Sequence, residues 1–205
     1  MEIVVVGTST GGLKALQTLL SGLPADFFPP IVIVQHRGKD SESGLSEYLG
    51  ECSSLPVIEP EDKEPLLDGH VYLAPRDYHL MIENRNFALS TVAPVRFARP
   101  SIDVLFESAA DAFQTRAIGV ILTGANSDGA RGLAAIKSCG GLTIVEEPAS
   151  AASRELPDAA IAQAMPDWIL PLDQIGPHLV ALSESRQPRE RLRQRSAGTA
   201  IYHGS

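Results

Sequence analysis

Short, unbroken apolar runs alternate along this chain with stretches whose apolar residues recur at helical spacing. Ile3–Val6, Ile31–Val34 and Ile118–Leu122 are continuous runs, the pattern of strands covered on both faces. After the first run come Gly11 and Gly12, then Leu13, Leu16, Leu19, Leu20 and Leu23, with Pro24 as a stop, which predicts a helix. Residues 37–50 are polar and loosely helical around Leu45, Tyr48 and Leu49, and Val57-Ile58 reads as a short strand. The middle differs. Val71–Ala74, Leu80–Ile82 and Phe87–Leu89 are short strand-like pieces, with Asn84-Arg85-Asn86 as a hairpin turn between the last two, so residues 59–98 read as an antiparallel insertion or edge. Alternation then resumes. Ile102, Leu105, Phe106, Ala109 and Phe113 mark a helix with Ser101 as its N-cap. Residues 130–138, 156–164 and 172–182 read as helices, and 142–145 and 168–170 as strands. The fold class that follows is α/β: a doubly wound, mostly parallel sheet with helices on both faces and a small antiparallel hairpin.

Composition narrows the class. The 205 residues are 44% hydrophobic and 20% charged, the balance of a globular chain, and no apolar run approaches the roughly 18 residues of a membrane helix. Met1-Glu2 leads straight into the first strand with no basic segment, so no signal peptide is expected. Cys52 and Cys139 form no motif, which points to a reducing, cytoplasmic compartment. The net charge of −8 is unevenly spread: residues 186–205 hold five Arg and one Glu. The acidic body argues against a nucleic-acid surface. The basic end reads as a solvated tail or a contact for an acidic partner. A single domain over 1–185 and a basic tail over 186–205 are expected.

Ligands collect at the carboxyl ends of strands in open parallel sheets, and three polar clusters fall there. Gly7-Thr8-Ser9-Thr10-Gly11-Gly12 follows the first run, Gln35-His36-Arg37 the second, and Thr123-Gly124-Ala125-Asn126-Ser127-Asp128-Gly129 the third. A serine on a tight strand-to-helix turn exposes its hydroxyl. It needs a base such as His36, and the base needs an orienting acceptor such as Asp128. Each residue also has a plainer reading. The Gly- and Ser-rich turn suits a phosphate or nucleotide loop, although it lacks the G-K-[ST] ending and is not G-x-G-x-x-G. His36 suits a partly buried, hydrogen-bonded side chain, and Asp128 suits an N-cap of the helix after it. His36, His70, His79, His178 and His203 show no metal-ligand spacing.

Five motifs stand in register: the first cluster; Gln35-His36; Leu73-Ala74-Pro75 with His79-Leu80; Arg99-Pro100-Ser101-Ile102-Asp103-Val104-Leu105-Phe106; and Leu122-Thr123-Gly124 through Asp128-Gly129-Ala130. In this the chain resembles, over residues 3–182, the catalytic domain of the chemotaxis protein-glutamate methylesterase family, CheB. The resemblance implies a serine hydrolase that removes methyl esters from glutamate side chains on the cytoplasmic domains of methyl-accepting chemotaxis receptors. Methanol is released, and many members also deamidate receptor glutamines. It implies Ser9 as nucleophile, His36 as general base and then acid, and Asp128 as the residue orienting His36. The backbone N–H groups of Thr10 and Ala125 fall where the family holds the oxyanion. It implies no cofactor and a protein substrate. The absence of metal-ligand spacing, the acidic body and the short apolar runs separately predict no metal, no nucleic-acid partner and no membrane insertion. There are departures. Ala125-Asn126 stand where the family usually has Met-Gly, and Glu155-Leu156-Pro157 where it often ends an acidic stretch with G-M-P. Members commonly carry an N-terminal receiver domain, and this chain begins at the first strand of the catalytic domain. The alternative these departures raise is a catalytically weakened receptor-binding regulatory module of the same fold.

Overall fold

A computed structural model describes residues 2–37 and 44–186. The basic tail beyond residue 186 and the segment 38–43 lie outside the described residues. β1 (Ile3–Thr8), β2 (Ile31–Gln35), β3 (Val57–Ile58), β4 (Val71–Leu73), β7 (Ala117–Ile121), β8 (Leu142–Glu146) and β9 (Trp168–Leu170) form one seven-stranded sheet in the order β3-β4-β2-β1-β7-β8-β9. Every pairing in it is parallel. β5 (His79–Glu83) and β6 (Asn86–Ser90) pair antiparallel as a separate hairpin.

Alternation along β1 explains the layers. Successive side chains of a strand point to opposite faces. Ile3 and Val5 enter one core with Ile102, Leu105 and Phe106 of α3 (Ile102–Phe113), and with residues of α4 (Ala130–Ser138) and α5 (Glu155–Ala164). Val4 and Val6 enter the other, with Leu16, Leu19 and Leu20 of α1 (Gly12–Ser21), Leu49 of α2 (Leu45–Cys52), and Ile175 and Leu179 of α6 (Leu172–Arg186). Both faces of the central strands are therefore dry, so their sequence needs no polar alternation. The β5–β6 hairpin packs Leu80, Ile82 and Phe87 into the α3 side.

Two expectations change. Val71–Leu73 is not part of an antiparallel insertion: β4 lies between β2 and β3 in the parallel sheet, with Ile31 opposite Val71. All three of its residues are buried, as on a strand covered on both faces. The hairpin turn is also shorter. Asn84 and Arg85 occupy the left-handed region, at φ 49° and 65°, and Asn86 already pairs with Glu83. Two successive positive φ values match the right-handed twist of a two-residue hairpin.

The sheet order reverses at β1. From β1 the chain steps outward through β2 to β4, and β7 later returns to the opposite flank of β1. The carboxyl ends of β1, β2 and β7 thus meet at a topological switch point, where open α/β sheets hold ligands.

Candidate active site

The turn after β1 is pinned from both sides. Thr8 Oγ1 and the Ser9 N–H both donate to the Thr123 carbonyl, at 2.8 and 3.0 Å. The Ser9 carbonyl accepts from Gly12 N at 2.9 Å and from Gln35 Nε2 at 2.9 Å. Gln35 also reaches the His36 carbonyl at 2.9 Å, so one buried amide ties the first cluster to the second. Gly12 is required for this close approach: a Cβ there would lie 2.0 Å from Gln35 Oε1 and 2.6 Å from Thr8 Oγ1. Gly12→Ala is expected to cost about 1–3 kcal/mol through overpacking, read as a lowered midpoint in urea denaturation.

His36 leaves β2 with its backbone N–H on the Thr8 carbonyl, at 3.0 Å. Its Nε2 lies 2.8 Å from Asp128 Oδ2. The Asp128 carboxylate is 1% exposed and sits on the N-terminus of α3. Oδ2 also accepts from Ile102 N at 2.7 Å, and Oδ1 accepts from Ser101 Oγ at 2.8 Å and from Asp103 N at 3.2 Å. These are N–H groups that a helix start leaves without partners, and the helix dipole favours an anion beside them. Burial pushes the Asp128 carboxyl up, but the hydrogen bonds from His36, Ser101 and Ile102 outweigh it and hold the group below the ordinary carboxylate value. An ionised carboxylate only accepts, so the ring nitrogen facing it carries the proton.

Asp128 does not cap its own helix. Gly129, at φ 113°, is the N-cap of α4, and the Gly129 and Gly132 N–H groups donate instead to buried Asp103 Oδ1, at 2.9 and 2.8 Å. A Cβ on Gly129 would also lie 2.6 Å from Ile102 Cγ2. The left-handed glycine turns the chain so that Asp128 faces α3. Ser101 acts as the expected N-cap of α3, accepting from Val104 N at 3.4 Å, and its hydroxyl also donates to Asp128. Behind it, fully buried His79 accepts the Ser101 N–H at Nδ1 and places Nε2 3.2 Å from the Ala93 carbonyl.

The third cluster is held through Thr123. Its N–H donates to Glu146 Oε2 at 2.8 Å, and its hydroxyl donates to the Thr10 carbonyl at 2.9 Å and accepts from Ser153 N at 2.9 Å. Gly124 exchanges backbone bonds with the start of α5: its N–H reaches the Ser153 carbonyl, and Leu156 N reaches its carbonyl. Glu155-Leu156-Pro157 thus braces the third cluster. Burial pushes the Glu146 carboxyl above its ordinary value, partly offset by bonds from Thr123 and Ser150. The folded state therefore holds a proton that the unfolded chain has lost, and stability should fall as pH rises from about 4.5 through the raised value. Glu146→Gln should flatten that part of a stability-against-pH curve measured by denaturant titration.

Ser9, His36, Arg37, Arg96, Phe97 and Asn126 are among the residues lining one cleft of about 420 Å³. A second groove, of about 550 Å³, runs from Ser9 past exposed Leu13 and Tyr48. Among the described residues Ser9 Oγ makes no hydrogen bond, and the N–H groups of exposed Thr10 and Ala125 have no acceptor. Arg96 and Phe97 form a two-residue turn at the rim, at φ 48° and 66°, with Phe97 fully in solvent. No group of His, Cys, Asp and Glu suited to a metal occurs among the described residues. Asn126 was not singled out as a site residue by its pattern, yet its amide touches His36: Nδ2 lies 3.0 Å from Nδ1. The contributions of Gln35, His79 and Asp103 were also not legible, because each acts through partners distant in sequence.

The sequence and the fold have counterparts among known proteins. The family profile of the CheB methylesterase matches residues 4–179. A Leptospira interrogans relative, provisionally named protein-glutamate methylesterase/protein-glutamine glutaminase, is 44% identical over 185 residues, covering 90% of this chain and 96% of that protein. An Anaeromyxobacter dehalogenans protein of the same activity name is 41% identical over 175 residues, which are 85% of this chain and 51% of the relative. The chain thus spans nearly all of the first and about half of the second. The crystal structure of the Thermotoga maritima CheB methylesterase catalytic domain superposes with a TM-score of 0.84 at 35% identity, covering 88% of this chain and 98% of that one. With the profile spanning most of the chain and the parallel sheet reproduced, the chain belongs to the CheB methylesterase family.

Proposed function

We propose that this protein hydrolyses γ-methyl esters of glutamate on the cytoplasmic domains of chemoreceptors, with deamidation of receptor glutamines as a second activity of the same site. The observation that carries the reading is the 2.8 Å contact between His36 Nε2 and Asp128 Oδ2, in a cleft that Ser9 also lines. The names borne by its relatives support the same chemistry.

The reaction follows from general principles. Ser9 Oγ attacks the ester carbonyl carbon while its proton passes to His36 Nδ1. Asp128 keeps the other ring nitrogen protonated and stabilises the imidazolium that forms. The Thr10 and Ala125 N–H groups, both without an acceptor among the described residues, donate to the developing oxyanion. The carbon–oxygen bond to the methoxy group breaks, His36 returns its proton to that oxygen, and methanol leaves. Water then attacks the acyl-serine, gives a proton to His36, and releases glutamate as Ser9 recovers its proton.

Two grooves meeting at Ser9 suit a side chain presented on another protein, with Phe97, Leu13 and Tyr48 as apolar contacts beside the reacting group. Work in the cytoplasm is consistent with the unbridged Cys52 and Cys139. The test is to incubate methylated receptor cytoplasmic fragments with the protein and map their modified residues by peptide mass spectrometry. Glutamate should replace the methyl ester at defined positions, and unaltered esters beside an active family enzyme as control would refute the reading.

A further inference from the structure

Asn126 holds the one ring nitrogen that the proposed mechanism needs free. Its Oδ1 accepts the Asp128 N–H at 3.0 Å, which orients the amide: the nitrogen must be the end that faces His36, 3.0 Å from Nδ1. With Nε2–H directed at Asp128, Nδ1 is the lone-pair side of the neutral ring, and the amide N–H donates into it. That lone pair is where the proton of Ser9 has to go. Ser9 Oγ has no hydrogen-bond partner among the described residues, so the resting structure joins His36 to Asp128 and to Asn126 but not to Ser9. Asn126 is exposed, and a bond in water is readily exchanged. It is also absent from the residues at positive φ, so its backbone does not require the left-handed conformation that Asn or Gly would serve.

We infer that Asn126 is a displaceable plug on His36: its amide occupies Nδ1 in the resting enzyme and must leave before the imidazole can act as a base for Ser9. The inference rests on the reading of Ser9 and His36 given above. It makes Asn126 a positioning residue that restrains activity. When Nδ1 takes the serine proton it becomes a donor, and an amide N–H in its resting place would then oppose it donor to donor. Each turnover therefore includes an outward movement of this side chain, driven by substrate entering the cleft that Asn126 lines.

The experiment compares the rate at which diisopropyl fluorophosphate phosphorylates the wild type, Asn126→Ala, Asn126→Asp and Ser9→Ala, each first shown to unfold at the wild-type temperature. In the reagent's reaction the serine oxygen bonds to phosphorus, fluoride leaves, and the serine proton passes through His36 to solvent. Asn126→Ala should react about 2- to 10-fold faster, the worth of one modest hydrogen bond. Asn126→Asp keeps an acceptor for the Asp128 N–H but turns an acceptor towards Nδ1, which draws a proton onto that nitrogen, so it should react more slowly than the wild type. If Asn126 only shaped the turn, the order would invert: Asp would match the wild type and Ala would be slower. That result, or equal rates for all three, overturns the inference. The ¹⁵N resonance of His36 Nδ1 supplies a second readout: in Asn126→Ala it should move downfield towards an unbonded imine nitrogen, and an unmoved resonance overturns the inference too. Labelling of Ser9→Ala at the wild-type rate would instead remove the reading of Ser9 itself, which separates the two failures.

Discussion

Replacing Ser9 with Ala is expected to reduce methanol release from methylated receptor fragments by roughly 10³- to 10⁶-fold, the range seen when a catalytic nucleophile is removed, while leaving the fold in place. The side chain is suited to this separation of effects. The bonds that hold the turn run through the Ser9 backbone, whose N–H reaches the Thr123 carbonyl and whose carbonyl takes Gly12 and Gln35. The hydroxyl carries none of them among the described residues. On the proposed mechanism, removing it takes away the attacking oxygen and no structural bond. Circular dichroism and thermal unfolding of Ser9→Ala should therefore match the wild type, and loss of fold with loss of activity would contradict this division of labour.

Asp128→Asn should damage both activity and stability. An Asn can present its amide N–H to His36, which favours the wrong tautomer and leaves a developing imidazolium without its counter-charge. A loss of about 10³- to 10⁴-fold in kcat is expected on that ground. The same carboxylate accepts from Ile102 N, Asp103 N and Ser101 Oγ, so the neutral amide also weakens the start of α3. Hydrogen bonds to a charged group are worth about 1.5–3 kcal/mol, and a loss of that size should appear in urea denaturation at neutral pH. The pH dependence has a definite sign. The folded-state value lies below the ordinary 3.8, so the ionised group stabilises the protein above that value, and the contribution is lost as pH falls through the lowered one. Wild type and Asp128→Asn should therefore converge in stability in acid and separate above it. A constant gap across that range would mean that the charge of Asp128 contributes nothing to the fold.

The parallel sheet could be read in the sequence because continuous apolar runs have one common cause, burial on both faces. The convergence of Ser9, His36 and Asp128 could be read because polar clusters immediately after three such runs must meet at one end of the sheet. Val71–Leu73 was misread because its neighbours in sequence form the hairpin. Its place in the sheet is set by pairing with β2 and β3, which lie well before it in sequence, and its two faces are covered by the separate cores that hold Tyr72 and Val71 with Leu73. Asp128 has the same lesson in smaller form. An acidic residue ahead of a helix signals a cap for that helix, but the left-handed Gly129 redirects it to another one, and Asp103 takes over the capping. The Arg96–Phe97 turn carries no glycine or asparagine, so nothing in its residue types announces positive φ values. Gln35 and His79 act through bonds to Ser9 and to Ser101, 26 and 22 residues away, beyond the reach of local patterns.

The most direct test of the account is methanol release from methylated receptor cytoplasmic fragments by the wild type and Ser9→Ala side by side. Release by the wild type, with Ser9→Ala folded and at the level of buffer alone, is the predicted result. Release by Ser9→Ala at the wild-type rate would contradict the assignment of Ser9 as the nucleophile. No release by the wild type from fragments that an active family enzyme demethylates would contradict the proposed reaction.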